Sequence, residues 1–74
     1  MTIPLDYRGI ANDIKARIES GEYPPGSKIP SYSQIAKLYS VSVSTAQRAV
    51  IVLRERGLVQ GSQGRGVYVL ERPD

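Results

Sequence analysis

The forty-odd residues that begin at Ser31 leave few folds open. Ser31-Tyr32-Ser33-Gln34 fits a capping box, in which a serine side chain caps the helix start and a glutamine three residues later reaches back to the serine backbone. Ile35, Ala36, Leu38 and Tyr39 supply the apolar side of a helix over 31–39. Ser40-Val41-Ser42 leaves room only for a tight turn, with Val41 as its buried pin. Ser42 then caps a third helix over 43–56, whose inward stripe is Ala46, Ala49, Val50 and Leu53. Gly57 stops it, and Arg54 and Arg56 suit its negative C-terminal end. Leu58-Val59-Gln60 and Val67-Tyr68-Val69-Leu70 are runs of β-formers on either side of a polar, glycine-containing stretch. They predict a hairpin over 58–70 tipped by Gln63-Gly64-Arg65-Gly66.

Upstream, Tyr7, Ile10, Ala11, Ile14 and Ile18 recur at helical spacing and predict a first helix over 5–20. Arg8, Asn12, Asp13, Lys15 and Arg17 occupy its polar side. Gly9 weakens this helix by about 1 kcal/mol relative to alanine and marks a site of close packing. Ser20-Gly21 ends it. Pro25-Gly26 suits a tight turn, with proline setting φ at one centre and glycine permitting a positive φ at the next. Lys28-Ile29-Pro30 is extended, because the residue before proline is pushed out of the helical region, and it can add a short edge strand.

Two short helices set at a steep angle, with a hairpin behind them, make a winged helix-turn-helix. The fold class is therefore mainly α with a small β-hairpin (α+β): three helices plus a two- to three-stranded antiparallel sheet, in one domain over 1–74. Such an arrangement suits laying a helix in the major groove of DNA with a loop beside it. At 74 residues the chain has no room for a deep catalytic cleft and a scaffold to hold it. It has neither cysteine nor histidine, which removes disulfides, thiolate metal sites, the commonest general base and the commonest metal ligand. No catalytic residues, metal or cofactor are expected. No apolar run approaches the roughly 20 residues needed to span a bilayer. Met1 to Leu5 runs directly into Asp6 and Arg8, unlike a signal peptide. The expectation is a cytoplasmic protein with no membrane partner.

The net charge is +3, and its distribution says more than its size. Residues 1–36 are neutral, whereas residues 37–74 carry the whole excess through Lys37, Arg48, Arg54, Arg56, Arg65 and Arg72. A one-sided positive field attracts a polyanion.

The run Tyr23-Pro24-Pro25-Gly26-Ser27-Lys28-Ile29-Pro30-Ser31, then Ile35-Ala36, Val41-Ser42, Leu53 with Gly57-Leu58-Val59, and Gly64-Arg65-Gly66 with Tyr68-Val69 resembles the N-terminal DNA-binding domain of GntR-type transcription regulators. Each piece is weak alone, but their order and spacing together are specific, and they cover residues 4 to 70. The resemblance implies a bacterial or phage-like regulator, of repressor type, that binds a palindromic operator in double-stranded DNA as a homodimer. Family members usually carry a larger C-terminal domain that binds a small metabolite. This chain ends at Asp74, ahead of where such a domain would start, so no effector domain is expected in it and no effector is assigned. A piece of a longer regulator and a minimal stand-alone protein both fit.

The resemblance also places the DNA-facing positions: Ser33 early in the second helix, Ser42, Val43, Ser44, Thr45 and Gln47 at the start of the third, and Gln63, Gly64 and Arg65 at the wing tip. The family often has arginine where this chain has Ser33, Val43 and Gln47, and arginine there would read guanine through two hydrogen bonds. The substitutes suit a different target. Gln47 can bond N6 and N7 of adenine and Val43 can meet a thymine methyl group, so a half-site richer in A·T is expected. Ser44 or Thr45, near free helix-start amides, suits phosphate oxygens. Arg65, flanked by glycines, suits a narrow minor groove. Tyr32, Lys37 and Arg48 are candidate backbone contacts. Ile51 and Val52 follow the inward Val50, so at least one points away from the core stripe, where an apolar side chain suits a partner surface.

Two other readings use the same fold. A winged helix can bind a protein partner instead of nucleic acid, but Arg65 and the positive second half would then have little use. An architectural or excisive DNA binder of a mobile element would share the contacts and differ in bending the duplex.

Overall fold

A computed structural model describes residues 6–62 and 66–71 of the chain. The predicted tip residues Gln63, Gly64 and Arg65, the start of the first predicted helix at Leu5, and the tail from Arg72 lie outside the described residues.

The order of elements is α1 (Tyr7–Ser20), α2 (Tyr32–Tyr39), α3 (Val43–Glu55), β1 (Val59–Ser62) and β2 (Gly66–Val69). Each helix starts on a side-chain cap. Asp6 Oδ1 accepts from the Gly9 amide at 2.8 Å. Ser31 Oγ accepts from the Gln34 amide at 3.2 Å, while the Ser31 amide donates to Gln34 Oε1 at 2.9 Å, which completes the capping box. Ser42 Oγ accepts from the Thr45 amide at 3.1 Å. Each bond occupies a backbone donor that the helix itself cannot satisfy. α1 ends on Gly21 in the left-handed region at φ 91°, where its N–H turns back to the carbonyls of Arg17 and Ile18.

The core lies where the three helices meet the inner face of the hairpin. Ile10, Ala11 and Ile14 from α1 pack with Ile35 and Ala36 of α2 and with Ala46, Ala49, Val50 and Leu53 of α3. Ile29, Leu58, Val59 and Val69 close it from the sheet side. Burying an isoleucine or leucine of this kind contributes about 1.5–3 kcal/mol. Alanine at 46 and 49, both fully buried, lets α3 approach its neighbours closely.

β1 and β2 pair antiparallel, Val59 with Val69 and Gln60 with Tyr68. The extended segment at Lys28 adds a single bridge to Tyr68 on the other edge of β2. The Ile29 amide donates to the Val67 carbonyl at 2.9 Å and the Val69 amide to the Ser27 carbonyl at 2.8 Å. The third strand is thus one bridge long: a two-stranded sheet with a short edge, in a winged helix-turn-helix. The edge goes no further, because the Ser31 amide, the next that would face β2, donates to Gln34 Oε1 at 2.9 Å.

Three details differ from expectation. Leu38 is 66% exposed. At about 100° per residue it lies roughly 160° round α2 from Ala36, while Ile35, Ala36 and Tyr39 make the inward face. β1 begins at Val59, because the Leu58 amide caps back onto the Leu53 carbonyl at 3.0 Å. α3 ends at Glu55, with Arg56 as its cap.

Candidate nucleic-acid interface

Between α2 and α3 the chain reverses in three residues. Ser40 takes φ 55° and, among the described residues, is the one non-glycine in the left-handed region. Its amide turns back to the carbonyls of Ala36 and Lys37. Val41, half-buried, packs against the core, and its amide bonds the Ala36 carbonyl at 2.9 Å. The reversal lays α3 across α2 and leaves the first two turns of α3 facing outward.

On that outward side Ser42, Ser44, Gln47 and Arg48 are exposed, and Val43 is 45% exposed. Thr45 is half-buried, and its hydroxyl lies 3.0 Å from Ser42 Oγ. Since its amide is also taken by Ser42, Thr45 serves the cap, and Ser44 is the hydroxyl left for a ligand. The amides of Val43 and Ser44 have no intrahelical partner, as in any first turn. No acidic residue sits in the first turn of α3, so nothing there opposes an incoming anion.

Ser33 and Lys37 are exposed on α2. Tyr32 is half-buried against the core, so its ring is largely committed to packing. Of the apolar pair after Val50, Ile51 is 42% exposed and Val52 packs against the core. Val43, Gln47 and Ile51, spaced four apart, share one outward row.

The ion pairs among the described residues lie elsewhere. Arg17 bridges Asp13 at 3.0 Å and Glu22 at 2.8 Å, on α1 and the turn after it. Lys37 and Arg48 join no ion pair among the described residues. Two tertiary features escape sequence reasoning. The Tyr39 hydroxyl donates to Asp13 Oδ2 at 2.5 Å, tying α2 to α1. The Lys28 side chain crosses Gly66, where any side chain would collide with its Cε. Alternation along the extended segment could have placed Lys28 on the outward face of the sheet, but nothing local points it at Gly66.

Residues 6–69 match the family described as bacterial regulatory proteins, gntR family. The chain belongs to this family. It is 44% identical over 64 residues to the uncharacterised HTH-type transcriptional regulator YdfD of Bacillus subtilis, covering 86% of this chain and 13% of that protein. It is 38% identical over 64 residues to the Exu regulon transcriptional regulator of Escherichia coli K12, covering 86% of this chain and 25% of that one. The chain thus spans a quarter or less of the length of these GntR relatives. Among solved structures, AraR(DBD) in complex with operator ORX1 superposes with a TM-score of 0.83 at 28% identity, covering 93% of this chain and 90% of that one.

Proposed function

We propose that this GntR domain is the DNA-reading part of a transcription regulator that binds a double-stranded operator and represses. The observation that carries this reading is the likeness to AraR(DBD), a domain of nearly the same extent solved on operator DNA, together with the repressor name of MngR of Escherichia coli K12, 37% identical over 65 residues.

In this reading α3 lies in the major groove with its N-terminal turns against base edges. The amides of Val43 and Ser44, the Ser44 hydroxyl and the exposed Ser33 hold phosphate oxygens, which fix register without reading sequence. Ser42 and Thr45 stiffen the helix start that meets the backbone. Gln47 pairs with adenine, and Val43 beside it covers a thymine methyl group. Arg48 and Lys37 add phosphate charge on either side. The wing tip, Gln63 to Arg65, flanks the helix at the minor groove, where arginine is favoured if the groove is narrow. Two copies on the half-sites of a palindrome would place two α3 helices about one helical turn apart. A cytoplasmic location goes with binding operator DNA; separately, no helix among the described residues is long and apolar enough to cross a membrane.

Selection of binding sites from random duplexes at stated salt tests the reading. A palindromic, A·T-rich half-site is expected. Failure to enrich any sequence, with no binding even in dilute buffer, would overturn it.

A further inference from the structure

Outside α3 and the wing tip, the outward face of the sheet carries a feature that the helix-turn-helix does not require. Lys28 and Tyr68 form the bridge between the edge segment and β2. The backbone bonds that flank this pair, Ile29 to Val67 and Val69 to Ser27, make Lys28 and Tyr68 a non-hydrogen-bonded pair, the kind whose side chains stand closest. Across β2, Gln60 is the partner of Tyr68. Lys28, Tyr68 and Gln60 therefore form one row on the face opposite the buried Val59 and Val69. From that row the lysine runs diagonally along β2 to Gly66. A side chain at position 66 would collide with the lysine Cε and press on its Cδ and Nζ. Gly66 has φ +114°, a conformation glycine tolerates, and its missing side chain is the space that the lysine stem fills. Lys28 is exposed and joins no ion pair among the described residues.

We infer that Lys28 is a phosphate-contacting residue of the wing, supplied by a segment before the helix-turn-helix and carried across Gly66 towards the tip end of the hairpin. This rests on the DNA-binding reading above. If the tip from Gln63 to Arg65 meets the duplex, the ammonium beside Gly66, one residue from Arg65, is carried towards the same sugar-phosphate rail. A lysine is a point charge on a flexible stem, so it adds affinity without choosing a base. Its contribution is uniform across sequences and sensitive to salt.

The test is a titration of the selected duplex and of an unrelated duplex across a salt series, using the native chain, Lys28→Met and Lys28→Arg. Lys28→Met keeps the stem and removes the charge. It should weaken binding to both duplexes by a similar factor, about three- to tenfold at low salt. It should also lower the slope of log affinity against log salt by about 0.9 per bound protomer. Lys28→Arg should keep the native slope. The slope does not depend on the fraction of folded protein, so a poorly folding variant still reports. A native chain that binds while Lys28→Met shows the native slope overturns the inference alone. A native chain that ignores every duplex overturns the DNA-binding reading itself.

Discussion

The two halves of α3 answer to different constraints. From Ala49 to Leu53 the helix is held by the interior: Ala49, Val50 and Leu53 are at most 1% exposed, locked between α1, α2 and the hairpin. From Val43 to Arg48 only Ala46 is buried, and the rest stand outward or, like Thr45, serve the cap. One element thus does two separable jobs. Its second half holds the fold, so substitutions there act on stability. Its first half is held only by Ala46 and by the Ser42 cap, so substitutions there can change what is bound without changing what is folded. Of the three positions where the resemblance led to an expectation of arginine, Val43 and Gln47 fall in that outward half and Ser33 stands on α2.

The sharpest way to break this division is to delete packing at Leu53. Leu53→Ala removes a fully buried side chain and should cost about 2–5 kcal/mol. A domain of this size holds on the order of 5 kcal/mol in all, so thermal melting should show a largely unfolded chain. Loss of DNA binding should follow the loss of fold. A Leu53→Ala chain that melts like the native one yet ignores DNA would mean that the two halves are not separable.

Gln47→Ala probes the other half. Its side chain is exposed, so the melting curve should move by no more than about 0.5 kcal/mol equivalent. Discrimination at one A·T pair of the selected site should fall by about 1–3 kcal/mol, read by competition with single-base variants of that site. A guanine-dominated half-site, indifferent to Gln47→Ala, would remove the adenine assignment and leave the fold argument standing.

The cap on α2 gives an intermediate effect and sharpens the contrast, because it supports α3 from a distance. Ser31→Ala removes the hydroxyl that accepts from the Gln34 amide, leaves the backbone amide that donates to Gln34 Oε1, and should cost about 1 kcal/mol. In a domain this small that lowers the melting temperature by about 4–8 °C. Base preference should be unchanged, since Ser31 does not belong to the outward row of α3.

What was legible in the chain follows the same boundary between local and distant causes. The caps at Ser31 and Ser42, the stop at Gly21 and the inward stripe of α3 depend on neighbours within a turn, and the residues themselves carry the signal. Leu38 is not on the inward face because five apolar residues in an eight-residue helix cannot all share one face, and composition alone does not say which one loses. Lys28 lying on Gly66, and Tyr39 reaching Asp13, join residues far apart in the chain. No periodicity encodes such pairs, since they exist only once the helices and sheet have packed. In the candidate site, the outward positions on α3 could be named from the family pattern. That Thr45 is committed to Ser42 while Ser44 is left open depends on which rotamer each hydroxyl takes, and that is set only once the helix start has formed.

The Tyr39–Asp13 link yields the smallest effect and the one with a defined pH signature. Burial first, and the bond to Asp13 second, push the Tyr39 hydroxyl up to about 12. The unfolded chain releases a tyrosine proton near pH 10, so the folded state holds this proton more tightly. The link's contribution is complete below about pH 10 and is lost as the pH rises to about 12. Asp13 runs the other way. The Tyr39 hydroxyl first, then the bond from Arg17, hold its carboxyl below the usual value of 3.8, so its contribution is present above that value and lost as pH falls through it. Tyr39→Phe keeps the ring and removes the donor, at a cost of about 1 kcal/mol for a part-buried bond to one carboxylate. Denaturant midpoints across pH should show the native chain losing its advantage over Tyr39→Phe between about pH 10 and 12. The acid limb should persist in part, because Arg17 still bonds Asp13. Parallel alkaline limbs would show that the hydroxyl contributes nothing to the fold. Because neither Tyr39 nor Asp13 belongs to the exposed row of α3, affinity for the selected duplex at neutral pH should change less than stability does. A larger loss of affinity than of stability would mean that the angle of α2 sets how α3 is presented, and the separation between holding and reading would no longer be clean.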